Sequence, residues 1–157
     1  MDPVGMGAEA PEEVVRVAEL LGGEQVLHRQ VVTPLDAHWT LRAGLPSEAL
    51  SHVMGNLSVV NRETFLDMGV GIHERTMQRK QRMQAMLDPE QSRRLWTFAD
   101  ILARATDVLG SQEEAERWLL RPALALEQNR PIDLISTPAG EALVQDLLGR
   151  MEYGVYT

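Results

Sequence analysis

Prolines stand just inside the start of one short apolar segment after another, and glycines stand just past the end. Asp88-Pro89-Glu90-Gln91 has a capping aspartate, a proline at the first helical position and a glutamine placed to reach back to the cap. Thr33-Pro34 and Thr137-Pro138 repeat the cap-then-proline order, Ser111 with Glu114 forms a capping-box pattern, and Pro11 precedes Glu12 and Glu13 at the positive end of a helix dipole. Gly22-Gly23, Gly44, Gly55 and Gly110 supply stops, and Pro122 breaks another run. Only helices use this punctuation, so the chain predicts a series of short ones.

The apolar spacing agrees. Val14, Val17, Ala18 and Leu21 recur at helical intervals, as do Leu35, Trp39 and Leu41, and Pro46 to Met54 reads as a further helix. Leu95, Phe98, Leu102, Ala105 and Leu109 fall on one face of a long helix and are expected to be buried, linking two halves or forming a dimer seam. Ala115, Trp118 and Leu119 mark the next helix, with Trp118 expected in this chain's own core. Ala123 to Ser136 reads as a proline-bounded connection, and the last helix is expected to turn Leu143, Leu147, Leu148 and Met151 inward. No segment alternates with the period of a strand, so the fold class is all-α. Aromatics make up only 4% of a chain that is 44% hydrophobic, which favours helix-forming Leu, Ala and Met over β-rich packing.

Residues 1–10, with Pro3, Gly5 and Gly7 and no periodicity, are expected to form a flexible tail. The start is acidic and lacks the basic-then-apolar order of a signal peptide, and no apolar run reaches the roughly 18 residues a membrane span requires. There is no cysteine, which excludes disulfides and thiolate metal sites. The expectation is a soluble cytoplasmic protein with no membrane association.

Net charge separates the regions. The whole chain is at −8, and residues 111–157 hold eight acids against four arginines. Residues 72–86 instead set Glu74 against Arg75, Arg79, Lys80 and Arg82, a net of +3. An acidic total argues against a surface that coats nucleic acid, but a local basic helix can still bind it.

That basic segment lies in a helix-turn-helix pattern. With Glu63 first, Leu66, Val70, Ile72 and Met77 occupy the positions where the two helices touch, and Gly71 occupies the turn. The second helix, from about His73, then presents Arg75, Thr76, Gln78, Arg79, Lys80 and Arg82 as candidate DNA-binding residues, since arginine pairs with guanine and glutamine with adenine. Asp67 departs from the pattern where a small residue usually permits close approach, and Gly69 weakens the first helix by about 1 kcal/mol relative to alanine. A pair of packed helices with a solvated charged face fits the same residues.

Catalytic chemistry is not apparent. His28, His38, His52 and His73 lack metal-ligand spacing, Gly22-Gly23 follows no strand, and no serine stands in a nucleophile elbow. No catalytic residue, metal or cofactor is expected, and the chain is not read as an enzyme.

The C-terminal third carries a stronger signal. AERWLLRP with Ala115, Trp118 and Leu119 is followed by Leu126, the run PIDLISTPAGEALV and the ending LLGRMEYGVYT. The matching positions are Pro131, Asp133, Leu134, Thr137, Gly140, Val144, Leu147, Arg150, Glu152, Tyr153 and Gly154. These residues resemble the toxin-binding domain of the Xre/ParS/MbcA antitoxins. GLP at Gly44 to Pro46 and MQRK at Met77 to Lys80 resemble that family's Xre-like region, so the likeness runs from about Leu41 to Thr157. The resemblance implies three segments: a tail over 1–10, a helical dimerisation and helix-turn-helix region over 11–109, and a small helical toxin-binding domain over 110–157. It also implies a cognate RES-domain toxin that consumes NAD, repression of the antitoxin's own operator DNA, and a homodimer within a larger complex. Arg150, Glu152, Tyr153, Gly154, Val155, Tyr156 and Thr157 are the candidate toxin-binding residues.

The residue chemistry there is compatible. Both tyrosines of the chain, Tyr153 and Tyr156, stand in this last segment, and tyrosine offers large contact area at small entropic cost. Glu152 and the terminal carboxylate suit a cationic pocket built for a pyrophosphate. The tyrosines could instead cap this chain's own core, with a shared role for Tyr153. Two other readings remain open: a stand-alone helix-turn-helix regulator without a toxin, and a protein inhibitor whose degenerate helix-turn-helix no longer touches DNA.

Overall fold

In the computed structural model, residues 11–154 are described, so the expected tail over 1–10 and the candidates Val155, Tyr156 and Thr157 lie outside the described residues. Ten α-helices follow in order: α1 Pro11–Leu20, α2 Gly23–Leu27, α3 Pro34–Ala43, α4 Ser47–Gly55, α5 Arg62–Thr64, α6 Glu74–Arg82, α7 Pro89–Leu109, α8 Gln112–Leu119, α9 Pro131–Leu134 and α10 Pro138–Glu152. A π-helical turn over Phe65–Val70 continues α5, and a 3-10 turn spans Leu124–Leu126. Among the described residues there is no strand, and no helix is long and apolar enough to cross a membrane. The chain is all-α.

The caps account for the helix starts. Thr33 and Asp36 exchange both capping bonds at α3, as Asp88 and Gln91 do at α7. Thr137 accepts from the Gly140 N–H at α10. At α8 only half of the expected box forms: Ser111 accepts from the Glu114 N–H, while the Glu114 carboxylate pairs with Arg117 at 3.0 Å, three residues on. Gly110 ends α7 in the left-handed region at φ 99°, where a side chain would be strained.

The core is organised around α7, against which α1, α3, α8, α10 and the π turn all pack. Leu95, Phe98, Leu102 and Ala105 are buried as expected, and Leu109 is half-buried. Trp96, Ala99 and Ile101 are buried too, so α7 is enclosed on most sides rather than along a single stripe. That interior position removes the alternative of a dimer seam on this face. Trp118 is buried in the same core.

The packing corrects one expectation and adds detail in two other segments. Leu143 stands 56% exposed on α10, because Gly140, Val144, Leu147 and Leu148 define the buried stripe and Leu143 lies roughly a quarter-turn from its centre. Leu35 and Trp39 face outward on α3, which buries Ala37 and Thr40 instead. The Ala123–Ser136 connection holds the 3-10 turn and α9. Gly140 makes that connection possible: a Cβ there would lie 1.8 Å from the Leu134 carbonyl oxygen, so α9 and α10 meet only over glycine.

Candidate functional site

The π turn and α6 hold the first candidate set. Leu66, Val70, Ile72 and Met77 are all buried, as the pattern requires. Gly71 adopts φ 75°, and its N–H donates to the Leu66 carbonyl at 2.7 Å across the widened turn. Arg94 of α7 lies over this turn and donates to the Met68 carbonyl at 2.8 Å. A Cβ on Gly71 would stand 2.3 Å from the Arg94 guanidinium, which would have to shift, and the positive φ itself favours glycine. Burial pushes the Arg94 pKa down. The two departures from the pattern also acquire reasons. Asp67 is exposed and stays out of the helix contact. Gly69 is buried against Phe65 and Phe98, where a Cβ would come within 3.2 Å of the Phe98 ring, so the small residue sits two positions later than the pattern places it.

The GLP segment fixes α6 from the other side. The Leu87 N–H donates to the Leu45 carbonyl at 2.7 Å and the Ser47 N–H to the Ala85 carbonyl at 3.2 Å, tying the start of α4 to the end of the α6 region. Gly44 has φ 95° and no room for a Cβ, which would meet the Leu87 carbonyl oxygen at 2.8 Å.

Six sequence candidates lie on α6, and the structure sorts them. Arg75, Gln78, Arg79 and Arg82 are exposed, and their spacing of three, four and seven places them on one flank, opposite buried Met77. Among the described residues Arg75, Arg79 and Arg82 enter no ion pair. Gln78 donates to Glu74, whose carboxylate is held by Arg62 at 2.9 and 2.5 Å. The Arg62 hydrogen bond keeps the Glu74 pKa below the usual carboxylate range. Thr76 and Lys80 are half-buried off this flank, and Lys80 Nζ donates to the Met86 carbonyl at 3.0 Å.

The second set lies at the end of α10. One flank of that helix carries polar contacts to α7: Arg93 to Glu141 at 3.4 Å, Gln145 to Asp100 at 2.9 Å, and Arg104 to both Gln145 and, at 3.4 Å, Glu152. Burial raises the Glu141 pKa, opposed by the Arg93 charge and reinforced by that of Asp100. Glu152 is thus partly engaged within the chain. Arg150 lies on the other flank, 3.5 Å from Asp146, with no hydrogen bond to its Nε. Tyr153 is 84% exposed and Gly154 has φ 77°. Of the two uses expected for Tyr153, packing into its own core is therefore overturned: α10 ends at Glu152 and the ring follows no buried stripe.

Sequence reasoning missed the residue that joins the two regions. Glu116 on α8 is completely buried, and its carboxylate accepts from the N–H groups of Ser58 at 3.0 Å, Val59 at 2.6 Å and Val60 at 2.9 Å. Gln112 adds a bond to the same carboxylate and another to the Asn56 carbonyl, both at 2.8 Å. The available signal was Glu116 next to Ala115 and one turn before Leu119 and Leu120, a charge on the edge of an apolar stripe.

Known proteins supply the remaining comparison. Residues 104–154 match the model of the antitoxin Xre/MbcA/ParS C-terminal toxin-binding domain. An "Antitoxin Xre" of Yersinia enterocolitica is 32% identical over 88 residues, covering 55% of this chain and 60% of that protein's length. An "Antitoxin Xre" of Photorhabdus laumondii is 27% identical over 116 residues, covering 73% of this chain and 77% of that protein. Residues 104–154 are therefore similar to the C-terminal toxin-binding domain of the Xre/MbcA/ParS antitoxins, and the chain spans less than two thirds of the length of the first of these relatives.

Proposed function

We propose that this chain binds and neutralises a RES-type toxin that degrades NAD, covering the toxin's active site with Arg150 to Thr157, and that it represses its own operon through α6. The observation that carries the first half is the match of residues 104–154 to a toxin-binding domain, together with a chain end whose Tyr153 side chain stands in solvent beyond α10. The exposed flank of Arg75, Gln78, Arg79 and Arg82 supports the second. The chain acts by binding rather than by catalysis. A homodimer would bring two such flanks to half-sites about one helical turn apart. Its seam cannot use α7, which is interior, whereas α3 offers Leu35 and Trp39 one turn apart on its outer face.

The test is NAD consumption by the purified product of the gene beside this chain's own, with the antitoxin in excess. The parent chain is expected to stop it. A variant lacking residues 154–157 is expected to bind without full inhibition and to melt with the parent. Full inhibition by the shortened chain would move the inhibitory contact into the body of the domain. A neighbour that is neither bound nor inhibited would overturn the antitoxin reading.

A further inference from the structure

Within residues 104–154 the described large apolar side chains are almost all interior: Trp118, Leu119, Leu126, Ile132, Ile135, Val144, Leu147 and Leu148 are buried. Leu124, at 72% exposure, and Leu143, at 56%, break that rule, as does Tyr153. An isolated exposed leucine is ordinary. Leu143 and Tyr153 share one flank of their helix. Residues 143, 146, 150 and 153 follow one another at intervals of three, four and three, so they run along a single flank of α10 and its last turn. The opposite flank is committed to α7 through Glu141, Gln145 and Glu152. The 3-10 turn bearing Leu124 packs against α10.

We infer that Leu143 on α10 and Leu124 on the adjoining 3-10 turn form an apolar docking ledge for the toxin, continuous along α10 with Arg150 and Tyr153. The inference rests on the toxin-binding reading and adds to it a contact upstream of the tail. The ledge combines apolar side chains at its upper end, the Asp146–Arg150 pair beside them and an aromatic ring at its lower end. Such a surface fits a partner protein with an apolar recess rimmed by polar groups, in which the leucines are desolvated and the ion pair stays near the edge. Docking and inhibition are then separable: the ledge supplies affinity, and the residues beyond Glu152 obstruct the active site. The physical reason for the division is order. Leu143 is carried on a capped 15-residue helix, so little conformational entropy is lost when it is buried against a partner.

The experiment uses the full chain and the purified product of the gene beside its own, with affinity measured by calorimetry. Leu124→Asp and Leu143→Asp place a charge in the interface without disturbing the core, since both side chains already face solvent. Met83→Asp, at an equally exposed apolar side chain just after α6, is the control. Each ledge substitution is expected to weaken binding about tenfold or more, with the control unchanged and all melting temperatures near that of the parent. Should Leu143→Asp fail to fold, Leu143→Ser carries the same test. Binding of the Leu124→Asp/Leu143→Asp double variant at parental affinity would overturn the ledge while leaving the toxin-binding reading intact. Absence of binding by the parent chain would overturn both.

Discussion

Glu116→Ala is expected to be among the most damaging single substitutions in the chain. The carboxylate receives three consecutive backbone N–H groups, from Ser58, Val59 and Val60, and a fourth bond from Gln112. A hydrogen bond to a charged group contributes about 1.5–3 kcal/mol net, and a buried donor left without a partner costs about 1–3 kcal/mol. Val60 is buried and would bear that cost in full, whereas Ser58 is exposed and water can take over its N–H. One full loss and two reduced ones come to about 3–5 kcal/mol, which lowers the melting temperature of a chain this size by about 10 °C. Glu116→Gln keeps one acceptor oxygen for the three amides, and Gln112 can turn its own carbonyl toward the new NH2 group. The expected cost is then about 1–2 kcal/mol, the charge-assisted part alone. Urea unfolding of both variants gives the numbers, and amide exchange at Val60 should accelerate in the alanine variant. If Glu116→Ala lies within about 1 kcal/mol of the parent, the carboxylate does not clamp this loop.

Leu102→Ala removes a side chain at the centre of α7 and should cost about 2–5 kcal/mol in thermal or urea unfolding, because packed neighbours refill such a site only partly. Arg79→Ala with Arg82→Ala should weaken operator binding and flatten its dependence on salt in a gel-shift titration, while leaving toxin binding intact. Glu141→Gln should raise stability at neutral pH: burial holds the folded pKa above its unfolded value, so the group's favourable contribution is complete at low pH and is lost as the carboxyl ionises with rising pH. The gain over the parent should therefore shrink in melts taken on acidification, and a gain that grows toward low pH would reverse the sign argued here.

The helix ends could be read from the sequence because their causes are local. Asp88, Thr33 and Thr137 each fix a start through bonds spanning three residues, and Gly110 and Gly44 stop helices through backbone angles that few other residues adopt. Orientation was harder to read, since it depends on neighbours distant in sequence. Leu143 belongs to an apolar series whose members lie on both sides of α10, and only the packing of α7 along one flank decides which of them is interior. Leu35 and Trp39 look like core residues until α3 is seen to bury the smaller Ala37 and Thr40. The π turn could not be anticipated, because it answers a demand made by Phe98 and Arg94 some thirty residues on: Gly69 gives the ring room and Gly71 admits the guanidinium. Glu116 escaped for the same reason, its partners being the amides of a loop that precedes it by more than fifty residues.

Two surfaces of opposite character follow from this arrangement. The α6 flank is cationic and helical, held from behind by Met77 and braced at one end by the Arg62–Glu74 pair. The outer flank of α10 is apolar with an ion pair, held from behind by Val144, Leu147 and Leu148. Neither surface borrows a side chain from the other, and α7 with Glu116 keeps both on one core. Charge reversal on α6 should thus leave the α10 surface unchanged, and a polar substitution at Leu143 should leave the α6 surface unchanged, since contacts that share no partners contribute independently. Loss of Glu116 is different in kind. It releases the loop that leads into α5 from α8, so it should weaken both surfaces together through stability rather than through either contact.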